Sequence, residues 1–274
     1  MHRLSAGLIL LDLLLTLTIS VIPIACGITM MVFQLEAKLN ENAKVSLNEA
    51  IYAIDKVIDD LHDASARALY LAGRPCTETL PELKALALGN PMVRSLVLLR
   101  SDEAHCSSLH GAQVDRVDLR QSQGERVGLI FGFRSSPGLP LLAYTLDTGG
   151  TGVVATAHGN VLSSELSGFQ DQLIVVIRIG EASIWAAGSS PSETGLPAMD
   201  PRGNKTSAKY GYTVEVGYPP GHLGQEVRTM FPNVLPSLLL VGLLTACVTY
   251  WSLYRKEREV RQASSRKDSH EEVA

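Results

Sequence analysis

Cysteine is scarce in this sequence, with four among 274 residues. Four are too few for a disulfide-rich scaffold, although they suffice for one bridge or one site. Positive charge is not in excess either, because 24 lysines and arginines face 28 aspartates and glutamates, and the formal net charge is −4. This balance gives no indication of nucleic acid as a partner. Internal repeats are also lacking, and a composition of 46% hydrophobic and 19% charged residues excludes a disordered chain.

The sequence contains two long runs without a charged residue, one toward each end of the chain. The first, residues 13–33, is 21 residues long and would form a helix of about 31 Å, which matches the hydrocarbon core of a bilayer. The second, residues 232–254, ends in Tyr250, Trp251 and Tyr254 and is followed by the basic Arg255. Aromatic residues and then positive charge are typical of a membrane interface. Both runs are therefore predicted to be transmembrane helices.

The distribution of positive charge predicts the orientation in the membrane. Arg3 precedes the first run and six lysines and arginines follow the second, whereas residues 34–231 carry 17 positive and 22 negative side chains. Because positively charged flanks remain in the cytoplasm, we expect residues 1–12 and 255–274 to be cytoplasmic. Residues 34–231 would then lie on the extracytoplasmic side of the membrane, which in a bacterium is the periplasm. That compartment is oxidising.

A cleaved signal peptide is the alternative interpretation of the first run. Ile24, Ala25 and Cys26 resemble a lipoprotein cleavage box. Pro23 occupies the position at which such a box has an aliphatic residue, and the apolar run continues for seven residues beyond Cys26. These features favour an uncleaved membrane helix.

The first run continues into an amphipathic pattern. Apolar residues spaced by three and four, as on one face of a helix, are Leu47, Ile51, Ile54, Ile58 and Leu61. No helix-breaking residue occurs between Gln34 and Ala72, and Gly73-Arg74-Pro75 then ends the pattern. This stripe either packs on the sheet of its own domain or also pairs with a second copy of the chain in a dimer. The intervening charged residues are interpreted as a solvated face.

Beyond residue 90 the pattern changes to short β-branched and aliphatic runs separated by glycine and proline. The runs are residues 93–99, 127–133, 141–146, 173–179, 183–187 and 210–216. Gly149-Gly150 is predicted to be a hairpin turn rather than a phosphate-binding loop, and residues 189–209 are predicted to be a mobile loop. The pattern predicts an α+β fold: a long N-terminal helix and an antiparallel sheet of about five strands, flanked by two transmembrane helices, as in a PAS/PDC-like periplasmic sensor.

The four cysteines divide between two environments. Cys26 and Cys247 fall inside the predicted membrane helices at different depths and are interpreted as small apolar fillers. Cys76 and Cys106 are the two cysteines of residues 34–231, and an even pair in an oxidising compartment is expected to be bridged. Closing this loop would restrict the unfolded chain by about 3.6 kcal/mol. The bridge would join the end of the long helix to the turn after the first strand.

Cys106 begins the triplet Cys106-Ser107-Ser108. Together with the upstream Cys76, the long helix and the two bracketing membrane runs, this triplet resembles the CSS-motif domain, the periplasmic sensor of a group of bacterial cyclic-di-GMP phosphodiesterases. The resemblance extends over residues 1–255. It implies that Cys106 is the motif cysteine, that Ser107 and Ser108 are the motif serines, and that Cys76 is the redox partner.

The resemblance implies redox sensing and signal transduction. In this family the periplasmic thiol-oxidising machinery sets the disulfide state, which controls a cytoplasmic EAL phosphodiesterase and the susceptibility of the domain to periplasmic proteases. This sequence has no Glu-Ala-Leu motif, and residues 255–274 are too few for a catalytic domain. We therefore expect a regulatory membrane protein without enzymatic activity or cofactor. It would act in cyclic-di-GMP signalling as a homodimer, as a heterodimer with full-length phosphodiesterases, or through a separate cytoplasmic protein.

Two other interpretations of the chain stay open. The domain could bind a small ligand in a pocket of its sheet, as PAS-like sensors do, and its disulfide would then be purely structural. The chain could also be the truncated remnant of an EAL phosphodiesterase.

Other chemistry at the triplet has less support. Cys76, His105, Cys106 and His110 would offer two sulfurs and two nitrogens to a zinc ion, but their spacing fits no standard metal motif and a bridged cysteine cannot be a ligand. His105 could lower the pKa of the neighbouring Cys106 thiol in the reduced state. No G-x-S-x-G sequence supports a serine nucleophile. The serine hydroxyls are therefore expected to bond backbone groups of the turn that presents the cysteine.

Overall fold

The computed structural model describes residues 2–101, 103–113, 126–131, 140–159, 161–162, 164, 172–192 and 195–271. Residues 132–133 of the second predicted strand run and residues 272–274 of the predicted tail lie outside these ranges. The chain divides into two units. One consists of residues 1–39 and 221–274, and the other of residues 40–220.

Three long helices occur in the described residues: α1 (His2–Ala68), α2 (Cys76–Leu88) and α3 (His222–Glu271). A short 3₁₀ turn, Leu69–Leu71, follows α1. The helical segment ends before Gly73-Arg74-Pro75, as the sequence predicts, because a proline disfavours helical backbone at the residue before it. Pro75 is extended, with ψ of 142°, and α2 begins at the next residue.

The first sheet of the unit 40–220 has five antiparallel strands in the order β2-β1-β5-β4-β3. The strands are β1 (Ser95–Arg100), β2 (Glu103–Ser107), β3 (Val127–Ile130), β4 (Leu141–Asp147) and β5 (Thr151–His158). Alternate residues of β1 belong to different apolar clusters: Leu96 and Leu98 lie in the main core, and Val97 and Leu99 in a smaller cluster on the opposite face. The sheet is therefore buried on both faces, which explains its nearly continuous apolar runs.

The second sheet also has five antiparallel strands, in the order β8-β7-β6-β10-β9. The strands are β6 (Ile174–Ile179), β7 (Ala182–Trp185), β8 (Gly188–Ser190), β9 (Asp200–Thr206) and β10 (Thr213–Tyr218). The central strands β6 and β10 contribute their apolar side chains to the main core. The chain thus builds two sheets of equal size within one unit.

The apolar stripe of α1 lies in the core of its own unit. Its predicted members Leu47, Ile51, Ile54, Ile58 and Leu61 are all buried, and they belong to the same cluster as the inward residues of both sheets. The prediction that the stripe packs on its own domain is therefore confirmed. Pairing of α1 with a second copy stays a prediction.

The α+β class and the long N-terminal helix agree with the sequence-based prediction, but the strands form two sheets instead of one sheet of about five strands. Residues 189–209, predicted to be a mobile loop, contain the end of β8 and the whole of β9. β9 is a polar edge strand that is exposed along much of its length, so it lacks the apolar alternation by which strands are predicted. Its backbone pairs with β10. Gly149-Gly150 does form a β4–β5 turn, with φ of +78° and +100°.

The unit 1–39 with 221–274 contains two helical stretches long and apolar enough to cross a membrane, one in α1 and one in α3. Their large apolar side chains are exposed, as suits contact with lipid. Glycines face the neighbouring helix: a Cβ on Gly27 would overlap Leu238, and a Cβ on Gly242 would lie 2.8 Å from Ile24 Cδ1. Small residues permit this close packing of membrane helices. The structure thus indicates a membrane protein.

Candidate functional site

A disulfide joins Cys76 to Cys106, with 5.3 Å between the two Cα atoms. It connects the first residue of α2 to β2 across 30 positions of sequence. The two sulfurs differ in environment, because Cys106 is completely buried in the main core whereas Cys76 is half-buried at its margin. The bridge that the cysteine pair predicts is therefore present, but it joins the start of α2 to β2 and not the end of α1 to a turn.

The start of α2 is fixed by Pro75 and Thr79. The carbonyl of Pro75 accepts hydrogen bonds from the backbone N–H groups of Glu78 at 3.1 Å and of Thr79 at 3.2 Å. The Thr79 hydroxyl also donates to this carbonyl at 3.2 Å, and its Oγ1 lies 3.9 Å from Cys106 Sγ. Thr79 is buried. The first turn of α2 is thus packed directly on the bridge.

Ser108 continues the pairing of β1 with β2 beyond the last residue of β2. The N–H of Ser108 donates to the Leu96 carbonyl at 2.9 Å, and the Leu96 N–H donates back to Ser108 Oγ at 3.0 Å. A side-chain oxygen therefore takes the place of the backbone acceptor that the ladder would otherwise require. Because Ser108 and Leu96 are both buried, this hydroxyl satisfies an N–H that water cannot reach.

Ser107 forms the turn that follows the triplet. Its backbone N–H and carbonyl exchange hydrogen bonds with those of Gly111, each at 2.8 Å. Its hydroxyl accepts the N–H of Leu109 at 3.3 Å. Gly111 has φ of +65°, a value that favours glycine. The prediction that the serine hydroxyls bond backbone groups of this turn is confirmed for Ser107, whereas the Ser108 hydroxyl bonds the neighbouring strand β1 instead.

Two side chains of the β1–β2 hairpin hold the segment that precedes Cys76. Arg100 Nη2 donates to the carbonyls of Gly73 at 3.2 Å and of Arg74 at 3.1 Å. His105 Nε2 lies 3.4 Å from the Arg74 carbonyl oxygen. Sequence reasoning did not find the contacts of Arg100, because they depend on the tertiary approach of a loop to a strand end.

The environment of His105 does not favour its predicted role, which was to lower the pKa of the neighbouring Cys106 thiol. Adjacent residues of a strand point to opposite faces, and the His105 ring bonds the Arg74 carbonyl while Cys106 points into the core. Burial lowers the pKa of His105, and the nearby Arg100 guanidinium lowers it further. A neutral imidazole at neutral pH does not supply the positive charge that would stabilise a Cys106 thiolate.

The four residues considered as zinc ligands in the sequence cannot act together, because two of them form the disulfide. Both Cys76 and Cys106 are disulfide-bonded, which leaves His105 and His110. In the part of the chain that the structure describes, no group of three or more His, Cys, Asp or Glu side chains is placed to hold a metal ion.

A second polar cluster, on the flank of α1, was missed by sequence reasoning. Asp55 accepts hydrogen bonds from the Tyr212 hydroxyl at 2.7 Å and from the Ser207 hydroxyl at 2.8 Å. Asp59 accepts from the Lys209 ammonium and the Tyr210 hydroxyl. The sequence pattern assigned both aspartates to a solvated face, whereas they connect α1 to the β9–β10 hairpin. No local signal identifies these partners, which lie about 150 residues away in sequence.

The same cluster shifts the protonation equilibria of its members. Burial acts to raise the pKa of Asp59, but the hydrogen bonds from Lys209 and Tyr210 outweigh it and hold that pKa below its usual value. Burial and the bonds to the carboxylates raise the pKa values of Tyr210 and Tyr212 far above the ordinary range. Both phenols therefore remain protonated donors at any physiological pH.

A pocket of about 240 Å³ opens beside this cluster. It is bordered by the start of β3, the β6–β7 turn and the β9–β10 hairpin. Its lining residues are Arg126, Val127, Ile179, Gly180, Lys209, Tyr210, Gly211 and Tyr212.

Solved structures similar to this chain include two of low sequence identity. The extracellular domain of rpHK1S-Z16, described as a histidine kinase, is 14% identical with a TM-score of 0.49, over 69% of this chain and 96% of that one. The methyl-accepting chemotaxis protein X is 10% identical with a TM-score of 0.39, over 70% of this chain and 98% of that one. No curated protein sequence matches the chain.

The family comparison is more specific. Residues 39–231 match the model described as the CSS motif domain associated with EAL. This match covers most of the chain and includes both bridged cysteines, the triplet and all ten strands. The matched domain is a sensor domain and is not itself catalytic. The chain therefore belongs to the CSS-motif domain family.

Proposed function

We propose that this chain is a membrane-anchored redox sensor in which the oxidation state of the Cys76–Cys106 bridge sets the conformation of a periplasmic regulatory domain. The observation that carries the proposal is the placement of the bridge, which joins the first residue of α2 to a fully buried position of β2. A disulfide between two exposed residues could be reduced without any change in the packing of the domain. This one lies between a helix and the core on which the helix packs.

The two redox states differ in what holds α2. In the oxidised state the covalent bond, the Thr79 contact and the bonds from Arg100 all act together. In the reduced state only the noncovalent contacts remain, and the cross-link stabilisation of about 3.6 kcal/mol is lost. A loss of this size favours local opening of α2 from the sheet. Opening would expose Leu83, which is fully buried in the closed domain, and would present the chain to proteases.

The proposed topology follows from the two apolar helices and the charge distribution. Both termini lie in the cytoplasm, the domain lies in the periplasm of a bacterial inner membrane, and periplasmic thiol-oxidising proteins set the state of the bridge. The family description associates this domain with EAL. The output is therefore cyclic-di-GMP signalling through a partner, either a second copy of the chain or a full-length phosphodiesterase.

Limited proteolysis of the full chain in detergent tests the proposal. The oxidised protein, the protein reduced with tris(2-carboxyethyl)phosphine and a Cys76→Ala/Cys106→Ala variant are compared. We expect the second and third to be cleaved within residues 72–88 well before the first. The matched control is a Cys26→Ala/Cys247→Ala variant, in which the free cysteines of the membrane helices are replaced and the redox effect should persist. Equal cleavage of the oxidised and reduced forms would refute redox control of the domain.

A second candidate function is supported by the pocket beside the polar cluster of Asp55 and Asp59. Two of its lining residues, Lys209 and Tyr210, bond Asp59 of α1. A ligand in the pocket would therefore change the contacts that hold α1. Its cationic and phenolic lining favours a small carboxylate. Thermal unfolding of the oxidised protein with a panel of small mono- and dicarboxylates distinguishes the candidates. Stabilisation by one of them, without any effect of reduction on proteolysis, would favour ligand sensing with a structural disulfide.

A further inference from the structure

We infer that thiol–disulfide exchange occurs at the sulfur of Cys76, and that the buried Cys106 is the leaving group when the bridge is reduced and the attacking thiolate when the bridge re-forms. The reaction partner is a thiol–disulfide oxidoreductase that presents an accessible pair of cysteines. This inference rests on the proposed redox function, because it assigns separate chemical roles to the two cysteines of that site.

Exposure separates the two sulfurs. Exchange requires a thiolate to approach the attacked sulfur in line with the disulfide bond, so access decides which sulfur reacts. Cys76 is half-buried, and the residues on either side of it, Gly73 to Pro75 and Thr77 to Glu78, are exposed. Cys106 is completely buried, with Thr79 packed against its sulfur. A partner protein can therefore reach Cys76 in the folded domain but not Cys106.

The charge around Cys76 also favours attack at this position. The Arg100 guanidinium bonds the backbone carbonyls of Gly73 and Arg74, two residues that precede Cys76 in the loop before α2. Cys76 is also the first residue of a 13-residue helix, where the aligned peptide dipoles favour negative charge. The exposed Glu78 in the first turn opposes this effect in part. An approaching thiolate, and the Cys76 thiolate of the reduced domain, are both stabilised by this positive environment.

Reduction proceeds in two balanced steps. A partner thiolate attacks Cys76 Sγ, a bond forms between these two sulfurs, and the Cys76–Cys106 bond breaks. Its electron pair goes to Cys106, which takes up a proton. The second thiolate of the partner then attacks the partner's own sulfur in the mixed disulfide and releases Cys76 as a thiolate, which takes up the second proton. The domain gains two electrons and two protons, and the partner leaves with a disulfide.

Oxidation is the reverse sequence. The Cys76 thiolate attacks the disulfide of an oxidised partner and forms the mixed disulfide, with release of one partner thiolate. Cys106 then loses its proton and attacks Cys76 Sγ, which restores the bridge and releases the second partner thiolate. Cys76 is thus the cysteine that is joined to the partner in both directions.

Alkylation of single-cysteine variants tests the assignment in the full chain in detergent. The Cys106→Ser variant retains Cys76, and the Cys76→Ser variant retains Cys106. Mass spectrometry separates the two sites, because trypsin places Cys76 in residues 68–84 and Cys106 in residues 101–116. We expect iodoacetamide to modify Cys76 more than about tenfold faster than Cys106 under native conditions. The two rates should become similar in denaturant, which is the internal control. Equal native rates, or faster modification of Cys106, would overturn the inference.

A second measurement avoids substitution, since loss of Cys76 could itself loosen α2. Oxidised wild-type protein is treated briefly with reduced glutathione, quenched with acid and digested. We expect glutathione on the peptide 68–84. Adducts mainly on the peptide 101–116, or no adduct on Cys76, would contradict the inference. If Cys76 carries the adduct but reduction leaves proteolysis unchanged, the proposed function fails while the assignment of the attacked sulfur stands.

Discussion

Ser108 and Leu96 exchange two hydrogen bonds, one from the Ser108 N–H to the Leu96 carbonyl and one from the Leu96 N–H to Ser108 Oγ. The last serine of the triplet therefore acts as an extra residue of the β1–β2 ladder. This pairing fixes the turn directly after Cys106. The residues that directly follow Cys106, the buried end of the bridge, are therefore held by the Ser107–Gly111 and Ser108–Leu96 hydrogen bonds.

Replacing Ser108 by alanine should destabilise the domain. The variant leaves the buried Leu96 N–H without its acceptor, which costs about 1–3 kcal/mol. We expect a lower midpoint of thermal unfolding for Ser108→Ala in detergent. Ser107→Ala is the comparison: its hydroxyl accepts from Leu109 at 3.3 Å, and because Leu109 is half exposed, water can replace this acceptor. An effect of Ser107→Ala as large as that of Ser108→Ala would contradict the ladder role.

Arg100 should matter more after reduction than before it. In the oxidised domain the covalent bond holds Cys76 whether or not Arg100 bonds the Gly73 and Arg74 carbonyls. In the reduced domain these bonds are among the few contacts left at the start of α2. We expect Arg100→Ala to accelerate proteolysis of the reduced protein strongly and that of the oxidised protein little. Equal acceleration in both states would show that Arg100 and the bridge act independently.

The buried stripe of α1 can be tested against its exposed face. Ile58 is fully buried, whereas Tyr52 is 75% exposed. Ile58→Ala should destabilise the domain by about 2–5 kcal/mol, because it leaves a cavity in the core. Tyr52→Ala should change the stability by less than about 0.5 kcal/mol in a monomer. A large effect of Tyr52→Ala on thermal unfolding would indicate instead that this face of α1 contacts a second copy.

Asp59 predicts a specific dependence of stability on pH. Its pKa is lower in the folded protein than its usual value of 3.8, so the ionised group stabilises the fold above that value. This contribution is lost as the pH falls through the lower folded pKa. We therefore expect Asp59→Asn to lower the unfolding temperature by a constant amount from pH 5 to 8 (about the range in which the carboxyl is ionised), and by progressively less below about pH 4.

The exposed Asp63 on the same helix provides the control for this series. Asp63→Asn should lower the unfolding temperature less than Asp59→Asn does at neutral pH, because its side chain is exposed and surface charges contribute little to stability. A difference between wild type and Asp59→Asn that grew on acidification would have the wrong sign for a carboxylate stabilised by Lys209 and Tyr210.

The parts of the fold that the sequence predicts are those with strong local periodicity. The α1 stripe from Leu47 to Leu61 and the buried runs of β1 and β4 carry their apolar pattern in a few consecutive residues. β9 was missed because Asp200–Thr206 is polar and exposed, and only its pairing with β10 makes it a strand. The division into two sheets was not predicted either, because the choice of partner strands depends on residues far apart in the sequence.

The candidate site shows the same division. Cys76 and Cys106 are predictable as a pair because they are the only two cysteines between the apolar runs. The bond from Leu96 to Ser108 and those from Arg100 depend on long-range register and loop approach, which a single sequence does not specify. The pairs of Asp55 and Asp59 with residues of the β9–β10 hairpin are equally nonlocal.

Hydrogen–deuterium exchange of the full chain in its oxidised and reduced states tests most directly whether the bridge controls the domain. The account predicts faster amide exchange after reduction in residues 72–88 and 103–111, which the bridge joins. Residues 174–190 and 200–218 of the second sheet should exchange at an unchanged rate and serve as the internal reference. Identical exchange of residues 72–88 in the two states would contradict redox control and leave the disulfide a purely structural bond.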